Sequence, residues 1–107
     1  MIIYNVTSNV DDSIHDRWMA WMMEDHIPKI METGKFYKIK IVKVLGDHHQ
    51  PGTTTYSVQY TADSREKLEE YYKEHSPQLR AEARELFGES VLQFRTELEI
   101  VQEFKMI

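Results

Sequence analysis

The sequence predicts an α+β fold of order βαββαβ: a four-stranded antiparallel sheet carrying two kinked helices on one face. Three observations predict it. Four segments read as strands and two as helices, in that order. The two halves of the chain repeat one another, down to a His-x-Pro break within each helix. The 107 residues, 41% apolar and 29% charged, suffice to bury one core, which places residues 1–107 in a single domain.

Ile2, Tyr4, Val6 and Val10 alternate with Asn5, Thr7 and Asn9, the period-two pattern of a half-buried strand. Asp11, Asp12 and Ser13 follow, and Asp12 or Ser13 can cap a helix by accepting a first-turn N–H. Ile14, Trp18, Trp21 and Met22 then recur at three- and four-residue spacing and form one apolar stripe. Pro28 lacks the N–H that would bond the Glu24 carbonyl, and it disfavours helical geometry at Ile27. The helix is therefore expected to kink near His26-Ile27-Pro28, continue through Ile30 and Met31, and stop at Gly34.

Phe36 to Leu45 reads as the second strand. Ile39 and Ile41 share one face and Val42 and Val44 the other, which implies a bulge or burial on both faces. Lys35, Lys38, Lys40 and Lys43 mark it as an edge strand, because charge there blocks stray pairing. A loop from Gly46 to Thr53 leads to a third strand, Thr54 to Ala62, with Tyr56, Val58 and Tyr60 on one face and Ser57, Gln59 and Thr61 on the other. Asp63 and Glu66 stand at capping-box spacing ahead of a helix bearing Leu68, Tyr71 and Tyr72. That helix breaks at His75-Ser76-Pro77, where Ser76 can cap and Pro77 can open the next piece. The restarted piece carries Leu79, Ala83, Leu86 and Phe87 and ends at Gly88. Val91 to Phe104 is expected to close the chain as a strand with Leu92, Phe94, Leu98 and Ile100 inward. Two such βαβ halves make a ferredoxin-like fold, with the first and third strands central and the second and fourth at the edges.

Several functional classes are disfavoured. The absence of cysteine removes disulfides, thiolate metal sites and cysteine nucleophiles, and fits a reducing, cytoplasmic compartment. A net charge of −5 argues against nucleic acid or anionic lipid as the main partner. No run approaches the roughly 18 apolar residues of a membrane span, and the N-terminus reads as a strand rather than a signal peptide. Gly-rich phosphate loops, nucleophile elbows and two-His helical zinc motifs are absent. Asp47-His48-His49 could bind a metal, but adjacent histidines rarely point at one ion, and a solvated loop is the better reading. Neither a metal nor an organic cofactor is expected.

With Leu92 and Phe94 inward, the uncovered face of the sheet would carry Asn5, Thr7, Asn9, Ser57, Gln59 and Thr61, joined by Gln93, Arg95, Glu97 and Glu99. Residues two apart on a strand share a face about 7 Å apart, so Arg95 and Glu97 would pair or jointly hold a polar ligand near Thr7 and Gln59. Such a face is open to three readings: solvated, packed on a second sheet, or used for nucleic-acid readout. The last is weakest, because Tyr4, Tyr56 and Tyr60 fall on the covered side. His26 and His75 could be paired ligands or acid/base groups, or could each cap a broken helix where positive charge suits the dipole. Capping is favoured, since neither has a second ligand at metal spacing. Trp18 and Trp21, with Met19, Met22 and Met23 nearby, could line an apolar pocket or simply form core.

The opening MIIYNVTSNVDDSIHDRWMAWMMEDHIP, with TGKF, TYSVQY and FRTELE, resembles an uncharacterised family of short bacterial proteins, a domain of unknown function, over nearly the whole chain. That family is similar in outline to the dimeric α+β barrel superfamily, whose ferredoxin-like subunits pair sheet to sheet. Its members include small monooxygenases, dismutase-like haem proteins, muconolactone isomerases and ligand-sensing domains. The resemblance implies a homodimer and a cavity between sheet and helices. It carries no catalytic residue across, because no motif of a characterised member matches, and fold alone does not supply chemistry.

Two functions follow as expectations. The first is a homodimeric small-molecule-binding protein, an enzyme without metal or organic cofactor being one form of it. Its site would lie at the Trp18/Trp21/His26 pocket or on the Thr7/Gln59/Arg95/Glu97 face, with His26 as candidate acid or base because histidine titrates near neutrality. The second is a non-catalytic interaction or assembly module whose polar face meets a partner.

Overall fold

Strand β1 (Ile2–Asp11) runs through the middle of one antiparallel sheet, between β3 (Thr53–Ala62) and β4 (Val91–Glu99). Strand β2 (Lys38–Lys43) pairs with the outer side of β3. The order β2-β3-β1-β4 leaves β2 and β4 at the edges, as the pseudo-repeat predicts. The computed structural model describes residues 1–46 and 50–107, so the Asp47-His48-His49 loop lies outside the described residues.

A single 3₁₀ turn (Asp12–Ile14), α1 (His15–Trp21), a π turn (Met22–His26) and α2 (Ile27–Glu32) connect β1 to β2. Helices α3 (Arg65–Glu74) and α4 (Ser76–Phe87) and a turn at Gly88–Ser90 connect β3 to β4. The helix break sensed at Pro28 is real but takes another form. Ile27 stays helical, at φ −64° and ψ −44°, and its N–H donates five residues back to the Met22 carbonyl. One wide turn thus accommodates the donor missing at Pro28 without ending the helix.

The caps lie elsewhere than expected. Asp11, not Asp12 or Ser13, caps the first turn, its Oδ1 accepting the Ser13 N–H at 2.9 Å and the Ser13 hydroxyl at 2.7 Å. Ser64 rather than Asp63 caps α3, accepting the Lys67 N–H at 3.2 Å, while Asp63 pairs with the Lys67 ammonium. Ser76 makes no cap; it is buried, and His75 takes the N-cap position with its N–H donated to the Tyr71 carbonyl. Gly34 and Gly88 end their helical segments at φ 73° and 53°, backbone that a side chain would strain.

Beneath the helices the core gathers Val10, Trp18, Ile30, Val58, Ala62 and Leu68, all essentially without exposure. An aromatic group of Tyr4, Phe36, Tyr60 and Tyr71 packs beside them, with ring centroids 4.8–6.5 Å apart, the range in which tilted and edge-on rings attract. Strand β2 is shorter than read, because Phe36 turns into this group before pairing begins. Its register with β3 is regular, without a bulge: Ile39 and Ile41 face the helices and Val42 stands exposed on the opposite side. No described helix is long and apolar enough to cross a membrane.

Strand β4 overturns the expected facing. Directly opposed residues of an antiparallel pair share a face. Tyr4 opposes Glu97, Val6 opposes Arg95 and Ser8 opposes Gln93, so these three polar residues lie on the helix side. Leu92, Phe94 and Leu98 oppose Asn9, Thr7 and Ile3 on the open face, where they are 50%, 70% and 45% exposed. The helices pack mainly over β1, β2 and β3, leaving β4 to overhang. With little above it, β4 has no core to point its apolar residues into. The strand also stops at Glu99 rather than Phe104, and the last ladder bond is Ile100 N–H to the Met1 carbonyl.

Candidate functional site

The overhang of β4 opens a cleft of about 370 Å³ between its helix-side face and the α1–π-turn and α4 segments. Small-molecule sites fall within about 300–1,000 Å³. Val6, Ser8 and Val58 make the floor; Trp18, Trp21 and His26 make one wall. Helix α4 supplies the other through Arg80, Ala83, Arg84 and Phe87, and β4 contributes Gln93 and Arg95. A smaller recess of about 40 Å³ shares His26, Arg80, Ala83 and Arg95 and reaches inward to Tyr71 and Ser76.

The π turn brings the Trp21 and His26 rings together, stacked at a centroid distance of 4.4 Å. Phe87 meets Trp21 edge-on at 5.2 Å, and the Arg17 guanidinium lies 5.4 Å over the Phe87 ring. Trp21 Nε1 and His26 Nδ1 are buried and without a hydrogen-bond partner. Buried polar atoms are nearly always satisfied, and each one left unmade costs about 1–3 kcal/mol. Two such residues lie side by side on one cleft.

His26 differs from the group that sequence reasoning expected. Burial pushes its pKa from 6.5 down to about 4, with Lys29 pushing the same way and Glu82 and Asp25 partly opposing. At neutral pH the ring is uncharged, so it brings no positive charge to a helix end. Lys29 joins Asp25 at 3.1 Å and Glu82 at 2.9 Å, latching the π turn to α4 beside the cleft.

A pH dependence follows. The unfolded chain binds a proton at this histidine near 6.5, whereas the folded chain resists it until about 4. The neutral ring's contribution is therefore full above 6.5 and is lost as pH falls through that window, on the order of 3 kcal/mol. Urea denaturation across the window is expected to show wild-type stability falling more steeply than that of His26→Asn. Parallel curves would show that burial does not hold this ring neutral.

Arg95 and Arg80 converge on one oxygen: Arg95 Nε donates to the Tyr4 hydroxyl at 2.9 Å and Arg80 at 3.2 Å. Arg95 also donates to Gln93 Oε1 at 2.8 Å. Glu97 is occupied elsewhere. It accepts from Arg65 at 2.7 Å and from the Tyr72 hydroxyl at 2.6 Å, bonds that lower its own pKa, while burial and the bond to Glu97 raise that of Tyr72. The expected Arg95/Glu97 pair on the open face is thus replaced by two separate attachments on the helix side.

Thr7 and Gln59 do lie on the open face, within a chain of side-chain hydrogen bonds. Gln59 donates to Ser57, Ser57 to Asn5, and Asn5 to both Thr7 and Thr96. The residues singled out in the sequence therefore divide. Trp18, Trp21, His26 and Arg95 share the cleft, Thr7 and Gln59 lie across the sheet, and Glu97 ties β4 to α3. Among the described residues no group of three or more His, Asp or Glu side chains is placed to hold a metal.

Sequence reasoning missed Arg80, Tyr4 and Ser8. A signal for the first was present: Arg80, Ala83, Arg84 and Phe87 stand at i, i+3, i+4 and i+7, one helical stripe with arginine at half its positions. Both arginines of that stripe line the cleft.

No curated protein matches the sequence. A solved structure of an ethyl tert-butyl ether D (EthD) family protein from Bacillus halodurans has a similar fold, with a TM-score of 0.66. The match covers 92% of this chain and 98% of that one, at 13% identity. Residues 1–101 match the family described as Domain of unknown function (DUF4286), and this chain belongs to that family.

Proposed function

We propose that this protein is a homodimeric small-molecule-binding protein. Its ligand occupies the cleft under β4, and its subunits pair through the open faces of their sheets. The observation that carries the reading is the cleft itself: apolar walls, two convergent guanidiniums and two unpartnered buried ring nitrogens in one ligand-sized space. Pairing through the sheets is supported by the exposed Leu92, Phe94 and Leu98 and by the sheet-to-sheet habit of the superfamily that the sequence resembles. The neutral imidazole of His26 gives the cleft a group able to accept a hydrogen bond from a ligand.

The uncharged fluorescent probe N-phenyl-1-naphthylamine tests the cleft. It is expected to brighten on binding the wild-type protein. Ala83→Trp, which places an indole in the cleft from α4, is expected to weaken binding at least about tenfold, a loss of about 1.4 kcal/mol. Equal binding to both proteins, or none to the wild type, would overturn the cleft as a ligand site.

A further inference from the structure

The cleft's charge is out of keeping with the chain. The protein has five arginines and a net charge of −5. Arg80, Arg84 and Arg95 line this one cleft, and Arg17 lies over the Phe87 ring at its wall. Arg65 is the arginine that pairs with carboxylates among the described residues, through Glu69 and Glu97. The four others have no carboxylate within ion-pair distance among those residues.

Two of these guanidiniums meet over a neutral oxygen, the Tyr4 hydroxyl. Like charges brought together without an anion repel one another, and an arriving carboxylate turns that repulsion into paired, charge-assisted hydrogen bonds. The Tyr4 hydroxyl accepts from both arginines and retains its own proton to donate. Trp21, whose Nε1 is buried and unpartnered, also lines the cleft. The cleft thus offers donors in excess of acceptors.

The opposite end is mixed in charge, with Arg84 in the last turn of α4 and Arg17 over the Phe87 ring. Gly88 and Glu89, at the carbonyl end of α4, also line the cleft. Along the helix that end lies about 12 Å from Arg80, at about 1.5 Å per residue. The carbonyl end of a helix and a glutamate both repel negative charge. Arg80 and Arg95 converge on one oxygen at the Tyr4 end, which places the anion there. Between the ends lie Trp18, Trp21, Met22 and Phe87, which suit a flat apolar body.

We infer that the ligand is a small monocarboxylic acid with an aromatic or other apolar body, its carboxylate held by Arg80, Arg95 and the Tyr4 hydroxyl. The inference rests on the cleft being the ligand site and names the class of ligand it takes.

The chain's two tryptophans, Trp18 and Trp21, both line the cleft, so their fluorescence reports occupancy directly. The probes are benzoate, phenylacetate, 2-naphthoate and octanoate, each beside its own primary amide, with phenyl phosphate as a doubly charged comparison. At least one acid is expected to bind about tenfold or more tightly than its amide and more tightly than phenyl phosphate. Added salt should narrow the gap. Arg80→Gln and Arg95→Gln, both at exposed positions, are each expected to bring the acid-to-amide ratio towards one without lowering the melting temperature. Acids no tighter than amides, or phenyl phosphate tightest of all, would overturn the inference. Amides and N-phenyl-1-naphthylamine bound without acid preference would remove the ligand class but keep the cleft. No binding by any of them would remove both.

Discussion

Trp18→Ala is expected to destabilise the folded chain by about 3–5 kcal/mol, the range for truncating a fully buried aromatic residue. Trp18 is 1% exposed, its ring centroid 5.5 Å from that of Tyr56, and it belongs to the same core as Val10, Val58 and Leu68. The loss combines the transfer energy of the indole with the contacts its neighbours forfeit around the hole. Val10, Tyr56 and Val58 are held by β1 and β3, the two central strands, so they have little freedom to close in. The hole would open onto the cleft and admit water, which favours the lower part of the range. Urea denaturation checks this, with Met23→Ala as the comparison. Met23 is 54% exposed, and its truncation should change stability by no more than about 0.5 kcal/mol. A Trp18→Ala effect no larger than that of Met23→Ala would contradict the packing described for α1.

Phe94→Glu is expected to turn a dimer into a monomer at concentrations where the wild type is fully paired. Phe94 is the most exposed of the three large apolar residues on the open face of β4, at 70%, and it opposes Thr7 of β1. In a sheet-to-sheet pair it would bury an aromatic ring. A carboxylate in its place would be buried without a partner, at a cost of several kcal/mol. A loss of about 3 kcal/mol raises the dissociation constant more than a hundredfold. Gel filtration with light scattering reads the change, and the variant should keep its melting transition because Phe94 contributes little to the core of its own subunit. Met23→Glu, on the helical side, is the counter-test. If it dissociates the dimer and Phe94→Glu does not, the subunits meet through helices. A wild-type chain that is monomeric at every concentration would remove the pairing altogether.

The element order and strand arrangement were legible because each strand that lies under the helices alternates cleanly. Tyr4, Val6 and Val10 in β1, and Tyr56 and Val58 in β3, are buried where the alternation puts them. The same rule failed in β4 for a physical reason. Apolar residues point inward only where something covers the strand, and whether a strand overhangs its helices depends on how the layers stack. The helix break was legible from Pro28, but its resolution into a π turn depended on a longer-range bond between Ile27 and Met22. Trp18, Trp21 and His26 were legible as neighbours because a helix brings them together. Their meeting with Arg95 was not, since that contact required the facing of β4. The histidine's loss of charge was least accessible, because desolvation arises only when separate segments close around the ring.

The alternation of β4 bears on how this chain can diverge. Gln93, Arg95 and Glu97 look one way along the strand, and Phe94, Thr96 and Leu98 look the other. Point substitutions can therefore alter the helix-side cleft and the open sheet face separately, on adjacent codons. A single inserted or deleted codon early in the strand would exchange the two sets, sending phenylalanine to the arginine's place and arginine to the exposed sheet face. Homologues should thus conserve the length of this segment.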